Sequence, residues 1–508
     1  MVKLARAWAH GVVHLPITGL AGALVLGAGA CTLLFDPGRL DPGGNESVDA
    51  RPGSEGELAL TMLSPAMLDE GMGVMRRVPV VITGQNIAQD AKVRLTGPGQ
   101  DGTEQPLVVA ADGELAAFEL AIAVQEDEPD ISTKPIQVEV IQGDETGSLM
   151  LAVDWLDELV ATEFGPSRNF TFMTDGLKTK YSRIALDAPM KAEGGVPLRL
   201  LATTELVLSA PLSADGGDGG VDLAGVAGPG GCGGGALSQA GGCMPGGGSG
   251  AEPGTGGGGG GGGHAGTGTM SASTGGGDGG GPTGTEAMTD LKAEQGNGGG
   301  GGSGGSGKGG GGGGGGGVIE LVSLGTFRIE TGAGISVRGG SGGGCMGASG
   351  NGGGGGGSGG AILLRSALPI EDRAGANILV LDGGQGGQGS ACTGQGGEGA
   401  PGRARVDAPA LPSATSSAAP YHGAVLDLET PSIVRTSTLR VTVLGQAGQT
   451  YSVASPMTAP RAVELDDMGR GTQDVMLTSG INRVCALVQQ SNERLGDGEN
   501  CLDVAYVP

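Results

Sequence analysis

Along residues 57–157 the apolar positions come in short runs: Leu58–Met62, Val78–Thr83, Val93–Leu95, Leu107–Ala110, Phe118–Val124, Ile136–Ile141 and Leu149–Trp155. Gly, Pro, Asn and Asp separate them. Runs of this length and spacing predict short strands joined by tight turns and folded as an antiparallel β-sandwich. The same pattern returns over 421–508, in Leu439–Leu444, Thr450–Val453, Val463–Leu465, Gln473–Leu477, Val484–Val488 and Leu502–Val507, and predicts a second sandwich. A Pro/Ala/Ser stretch at 406–420 reads as the linker from which that last module hangs.

A different pattern repeats over 165–405. One unit reads Leu198-Arg199-Leu200, Leu206-Val207-Leu208 and Leu212-Ser213-Ala214-Asp215, closing on Gly216-Gly217. A second reads Ile319-Glu320-Leu321, Phe327-Arg328-Ile329 and Ile335-Ser336-Val337-Arg338, closing on Gly339-Gly340. A third reads Ile362-Leu363-Leu364, Leu368-Pro369-Ile370 and Ile378-Leu379-Val380, closing on Asp382-Gly383-Gly384. A weaker unit precedes them, with Ile184-Ala185-Leu186 and Met190 through Gly195. One such unit cannot bury its inward row alone, so the repeat predicts stacked coils of a parallel β-solenoid sharing one apolar column. Leu208, Ile329 and Val380 are expected in that column. The expected fold is therefore all-β: an immunoglobulin-like sandwich, a glycine-rich parallel solenoid with long glycine loops, and a second immunoglobulin-like sandwich.

The glycines lie between the coils. Of 508 residues 113 are glycine, and they run together instead of recurring every third residue with proline, which excludes collagen. The excursions at 216–317, 339–360 and 383–402 all leave from one corner of the coil, so they should emerge on one side. Ordering glycine is entropically costly, and this argues for disorder of the long first excursion. The scarcity of charge inside the tracts argues the other way, for extended polyproline-II-like segments bonding laterally. Order is the expectation for the two shorter excursions if Cys345 and Cys392 join them.

The first 31 residues read as an export signal. Lys3 and Arg6 precede an apolar stretch that ends Gly27-Ala28-Gly29-Ala30-Cys31. Small residues before a cysteine resemble a bacterial lipobox, whose thiol is acylated and becomes the new N-terminus; Ala28 stands where that family prefers Leu. Cleavage near Ala30 without a lipid, and a retained membrane helix, are the other two readings. Residues 32–56 are turn-rich and polar, as a tether would be. Of the seven cysteines, acylation of Cys31 leaves six. An oxidising compartment then favours three disulfides. Nearest pairing gives Cys232–Cys243, Cys345–Cys392 and Cys485–Cys501 out of about fifteen possibilities.

The net charge of −25 argues against nucleic acid or anionic headgroups as partners and suits a solvated extracellular surface. The expected partners are a membrane, reached through the N-terminal lipid, and extracellular polysaccharide or other surface proteins. The expected location is the outer membrane or cell surface, with secretion as the alternative. Thr32 lacks the aspartate that, by the sorting rule of such lipoproteins, retains many of them at the inner membrane.

Two resemblances add to this reading. Ser64-Pro65, the run Val80-Val81-Ile82-Thr83-Gly84-Gln85-Asn86-Ile87 and Val93 resemble the opening of the immunoglobulin-like domain shared by plexins and transcription factors. That resemblance implies a sandwich used for spacing or binding, with no catalytic residues. The order of parts resembles predicted glycine-rich surface lipoproteins of the myxobacterial type, which implies a surface location more than an activity.

Chemistry-bearing motifs are few, and no catalytic residue, metal ligand or cofactor site is assigned. Of the four histidines, His10 and His14 fall in the signal, while His264 and His422 stand alone in the sequence. The run Asp215, Asp218, Asp222 is similar to the calcium-binding nonapeptide of repeat toxins, but starting at Gly216 its sixth position is Val221 and Asp222 comes one residue late. Stacking the units aligns Arg199 with Glu320, and Asp215 with Arg338 and Asp382. A carboxylate pair with a basic neighbour could cleave sugars, which makes a polysaccharide-binding or polysaccharide-cleaving solenoid the alternative function. A ladder of opposite charges across coils is the simpler reading. The leading expectation is a non-enzymatic envelope lipoprotein with a structural, adhesive or surface-interaction role.

Overall fold

The computed structural model describes residues 56–73, 77–122, 134–161, 170–288, 294–304, 308–347, 350–375, 378–388, 392–412, 418–488 and 500–508. The signal, Cys31, nearly all of the tether and the turn Arg494–Gly498 lie outside them. Every element assigned in the described residues is a strand, so the protein is all-β there.

The N-terminal module is two facing sheets. Ala59–Ser64, Val78–Gln85, Leu115–Leu120 and Val108–Val109 form one, entirely antiparallel. Met67–Asp69, Glu145–Asp154, Ile136–Gln142, Lys92–Thr96 and Glu104–Pro106 form the other. Alternation decides which face turns inward: in Ile136–Gln142 the residues Ile136, Val138 and Val140 are buried and Gln137 is exposed. Together with Val80, Ile82, Val93, Phe118 and Leu151 they make one apolar core.

The C-terminal module repeats this plan. Val425–Leu426, Thr438–Leu444 and Arg470–Met476 face a sheet of Ile433–Val434, Cys501–Tyr506, Gly480–Val488, Thr450–Ser455 and Thr458–Glu464. Val441, Val443, Tyr451, Val453, Val484 and Val504 fill the space between.

The middle of the chain is a stack of rungs whose strands pair in parallel. One sheet joins Leu159–Ala161, Lys180–Leu186, Leu198–Leu208, Val318–Ser323, Ala361–Ser366, Arg403–Asp407 and Tyr421–His422 in that order. A second joins Phe170–Met173, Met190–Glu193, Leu212–Ser213, Ile335–Ser336 and Leu379–Val380. Leu198 pairs with Ile319 and Ile319 with Ile362; Leu206 pairs with Phe327; Leu212 pairs with Ile335. These registers follow the repeat read in the sequence. The inward residues form one continuous column from Phe172 to Ala408.

Four expectations are corrected. The strand after Ala361–Ser366 is Glu371–Asp372, paired with Arg328–Ile329, not Leu368–Ile370; Pro369 has no amide to give a ladder. Ile335 pairs with Leu379, so Leu379 and Leu381 turn inward, and Val380 is half-buried outside the column. The parallel sheet runs past residue 405 through Arg403–Asp407 and on to Tyr421–His422, on both sides of the supposed linker. The last module does not hang free. Val81, Ala110 and Ala117 of the first module pack against Ala505 and Val507 of the last, and Arg435 Nη1 donates to Val109 O at 3.0 Å. The Tyr451 hydroxyl donates to His422 O at 2.5 Å, tying that module to the end of the stack, and burial pushes the phenol up to about 12.

The column sets a sharp contrast. Leu208→Asp or Ile329→Asp places an unpaired charge at a fully buried site and should cost several kcal/mol. Val380→Asp should cost under about 1 kcal/mol. Urea unfolding of the three variants checks this; equal losses in all three would contradict the register.

Candidate functional site

The glycine excursions are ordered in the described residues, the long first one included, and this corrects the entropy argument. Consider the tract 309–317. Amides of Gly310, Gly313 and Gly316 donate to Gly352, Gly355 and Ser358, each at 2.9 Å. Those of Gly311, Gly314 and Gly317 donate to Gly220, Gly217 and Ala214. Those of Gly312 and Gly315 donate to Gly235 and Cys232. Donor direction thus repeats every three residues, as in a polyproline-II helix with three faces. The carbonyls of the same tract accept from three further tracts, through Gly225 and Gly228, through Gly296, Gly299 and Gly302, and through Gly340 and Gly343. One extended segment therefore has six bonded neighbours.

Tract 352–360 is surrounded in the same way. It donates to Ser303, Gly300 and Asn297 on one side, to Gly394, Gly397 and Ala400 on another, and to Gly343, Gly340 and Val337 on a third. It accepts from Gly259 and Gly262, from Gly310 and Gly313, and from Gly384 and Gly387. The result is a hexagonal lattice of backbone with almost no side chains inside. Glycine is required by close approach: a Cβ on Gly355 would overlap Gly260 O, and one on Gly357 would overlap Gly314 O.

Side chains pin the lattice at its edges. The structure brings Cys232 to Cys243, Cys345 to Cys392 and Cys485 to Cys501, with Cα separations of 5.8, 5.4 and 4.0 Å; all three pairs are disulfide-compatible. The first two lie in the lattice and the third closes the last module. His264 is fully buried, with Nδ1 2.8 Å from Gly359 O and Nε2 3.3 Å from the carboxylate of Glu294. Glu294 also accepts from Thr285 N at 2.7 Å and faces Arg403 Nη1 at 3.3 Å. Sequence reading missed this cluster, because its members are separated by long stretches of chain and no spacing signals them.

Asp215, Asp218 and Asp222 do not converge. Asp215 Oδ1 accepts from Arg338 N at 2.7 Å and Ser336 Oγ at 2.5 Å, and Asp218 Oδ1 accepts from Ser341 N at 2.7 Å. Asp222 lies 3.9 Å from Lys308 Nζ. The first two anchor the amides of the next rung. Among the described residues no three His, Cys, Asp or Glu side chains are grouped to hold a metal ion.

Charges alternate across the rungs. Arg183, Glu205 and Arg328 are linked at 3.0 and 2.5 Å, and Glu330, Arg373 and Glu371 at 3.2 and 2.8 Å. The bond to Glu205 raises the Arg183 guanidinium above its ordinary value. On the outer face of the first sheet Arg199 bonds Glu320 through Nε. Arg365 stands 3.8 Å from Glu320 and 3.4 Å from Asp407, and Asp407 bonds Arg405 at 2.7 Å. Arg338 lies 3.7 Å from Asp382.

No protein-family model matches the chain, and no curated protein or solved structure is significantly similar to it. The lattice must therefore be tested directly. Gly355→Ala and Gly357→Ala should each cost about 1–3 kcal/mol by overpacking. Gly266→Ala, where an added Cβ meets nothing within 4 Å, should be close to neutral. Thermal unfolding of the three variants decides it, and no difference among them would mean that the tracts are not packed.

Proposed function

We propose that this chain is an exported cell-envelope lipoprotein, anchored by a lipid on Cys31, whose role is structural and adhesive and not catalytic. In this reading two immunoglobulin-like sandwiches flank a glycine-rich parallel β-solenoid and brace it, and the packed glycine loops form a stiff display surface at the cell exterior. The observation that carries the proposal is the lattice. Tract after tract spends its amides and carbonyls on its neighbours, which builds a body held together almost entirely by backbone. Disulfide-compatible cysteine pairs inside that body suit an oxidising compartment. The likeness to glycine-rich lipoproteins of the myxobacterial type points the same way, as does a net charge of −25 on a solvated surface.

Anchoring is the part most open to test. Native protein should carry an acyl-modified Cys31 by intact mass spectrometry and sediment with membranes. Cys31→Ser should move it to the soluble fraction or stop its processing. An unmodified native N-terminus, or membrane association unchanged in Cys31→Ser, would sink the lipoprotein reading.

A further inference from the structure

On the outer face of the stack, a cavity of about 220 Å³ opens across the rungs beginning at Lys180, Leu198 and Val318. It is lined by Thr179, Lys180, Arg199, Leu201, Glu320 and Val322, among others. The parallel register builds it. Arg199 stands beside Glu320, while Lys180, Leu201 and Val322 stand side by side along the neighbouring row. Two cations thus flank an apolar floor.

Arg199 is held by one nitrogen only. Its Nε bonds the buried Glu320 carboxylate, which Arg365 faces from the other side. Its side chain is 55% exposed, and among the described residues its two terminal nitrogens have no protein partner. Lys180 Nζ uses one donor on Asp69 at 2.6 Å, and the side chain as a whole is 39% exposed. A guanidinium whose terminal nitrogens have no protein partner still offers the paired N–H groups that match a carboxylate bidentately.

We infer that this cavity binds a sugar acid, through its carboxylate. The carboxylate forks onto Arg199 and reaches Lys180, and the C–H face of the ring lies on Leu201 and Val322. That space is many times the roughly 10–15 Å³ that a single water needs by the same measure, which leaves room for a ring as well as its carboxylate. A dianionic phosphate would set twice the charge of a carboxylate against Glu320 and Asp69 and is disfavoured. Charge and an aliphatic floor hold the ring, which fits a chain with only 2% aromatic residues.

Calorimetric titration of the purified full chain tests this with galacturonate, glucose and acetate. Galacturonate should bind at least tenfold more tightly than glucose or acetate. Arg199→Gln should weaken it at least tenfold, and Arg199→Lys should not restore it. Because Arg199→Gln also strips a partner from buried Glu320, two further variants are needed: Lys180→Gln, which should weaken binding severalfold, and Val322→Phe, which fills the floor, keeps every charge and should abolish binding. Galacturonate binding no tighter than glucose or acetate, or intact in both Arg199→Gln and Val322→Phe, would overturn the assignment. Either result leaves the Cys31 assays untouched.

Discussion

Backbone amides in the parallel sheets and in the glycine tracts reach their acceptors over the same distance, and the rest of the structure depends on that equality. Leu212–Ser213 runs straight into the tract that begins at Ala214, and tract 309–317 runs straight into Val318–Ser323. Adjacent strands lie about 4.8 Å apart. Each rung therefore starts its glycine tract one lattice spacing from the last. Ala214, Val337 and Leu381 leave the column in register, and so do Val318, Ala361 and Arg403. The apolar column thus sets the spacing for a body that has no apolar core of its own.

That arrangement answers the entropy objection to ordered glycine. An isolated glycine tract gains no side-chain burial and loses the most conformational freedom of any residue. Here both of its ends are fixed by strands or by cysteine pairs, so much of the ordering cost falls on the stack, whose apolar column offsets it. What remains is hydrogen bonding, modest per bond but repeated at almost every residue, in a setting where a missed partner would be costly. Few side chains lie inside, among them Asn297, Ser303 and Ser358, and the ionisable ones sit at edges: His264 with Glu294 and Arg403 at the seam between lattice and stack, Asp215 and Asp218 along one face.

Much of the scaffold was legible because burial imposes period on sequence. Apolar–x–apolar triplets revealed the rungs from Ile184 onward, and their alignment placed Arg199 on Glu320. The first rung, Leu159–Ala161 in one sheet and Phe170–Met173 in the other, went unread because no glycine pair closes it. Pro369 and Val380 misled because a triplet fixes which residues are apolar, not which one faces in. The lattice was only half legible: composition states that glycine is abundant, while order depends on neighbours scattered from Gly216 to Gly402. The cavity at Arg199 was half legible: alignment placed Arg199 on Glu320, but Lys180, which lies outside the triplets, joins them only through register.

Hydrogen exchange of the glycine amides tests the central claim most directly. Amides of residues 310–317 and 352–360 each have a backbone acceptor inside the lattice. The account predicts that peptides covering these tracts exchange as slowly as the column strands Leu198–Leu208 and Val318–Ser323, through opening of the whole unit. Exchange at the rate of an unstructured glycine-rich chain, with those strands still protected, would contradict it and leave the stack without its lattice.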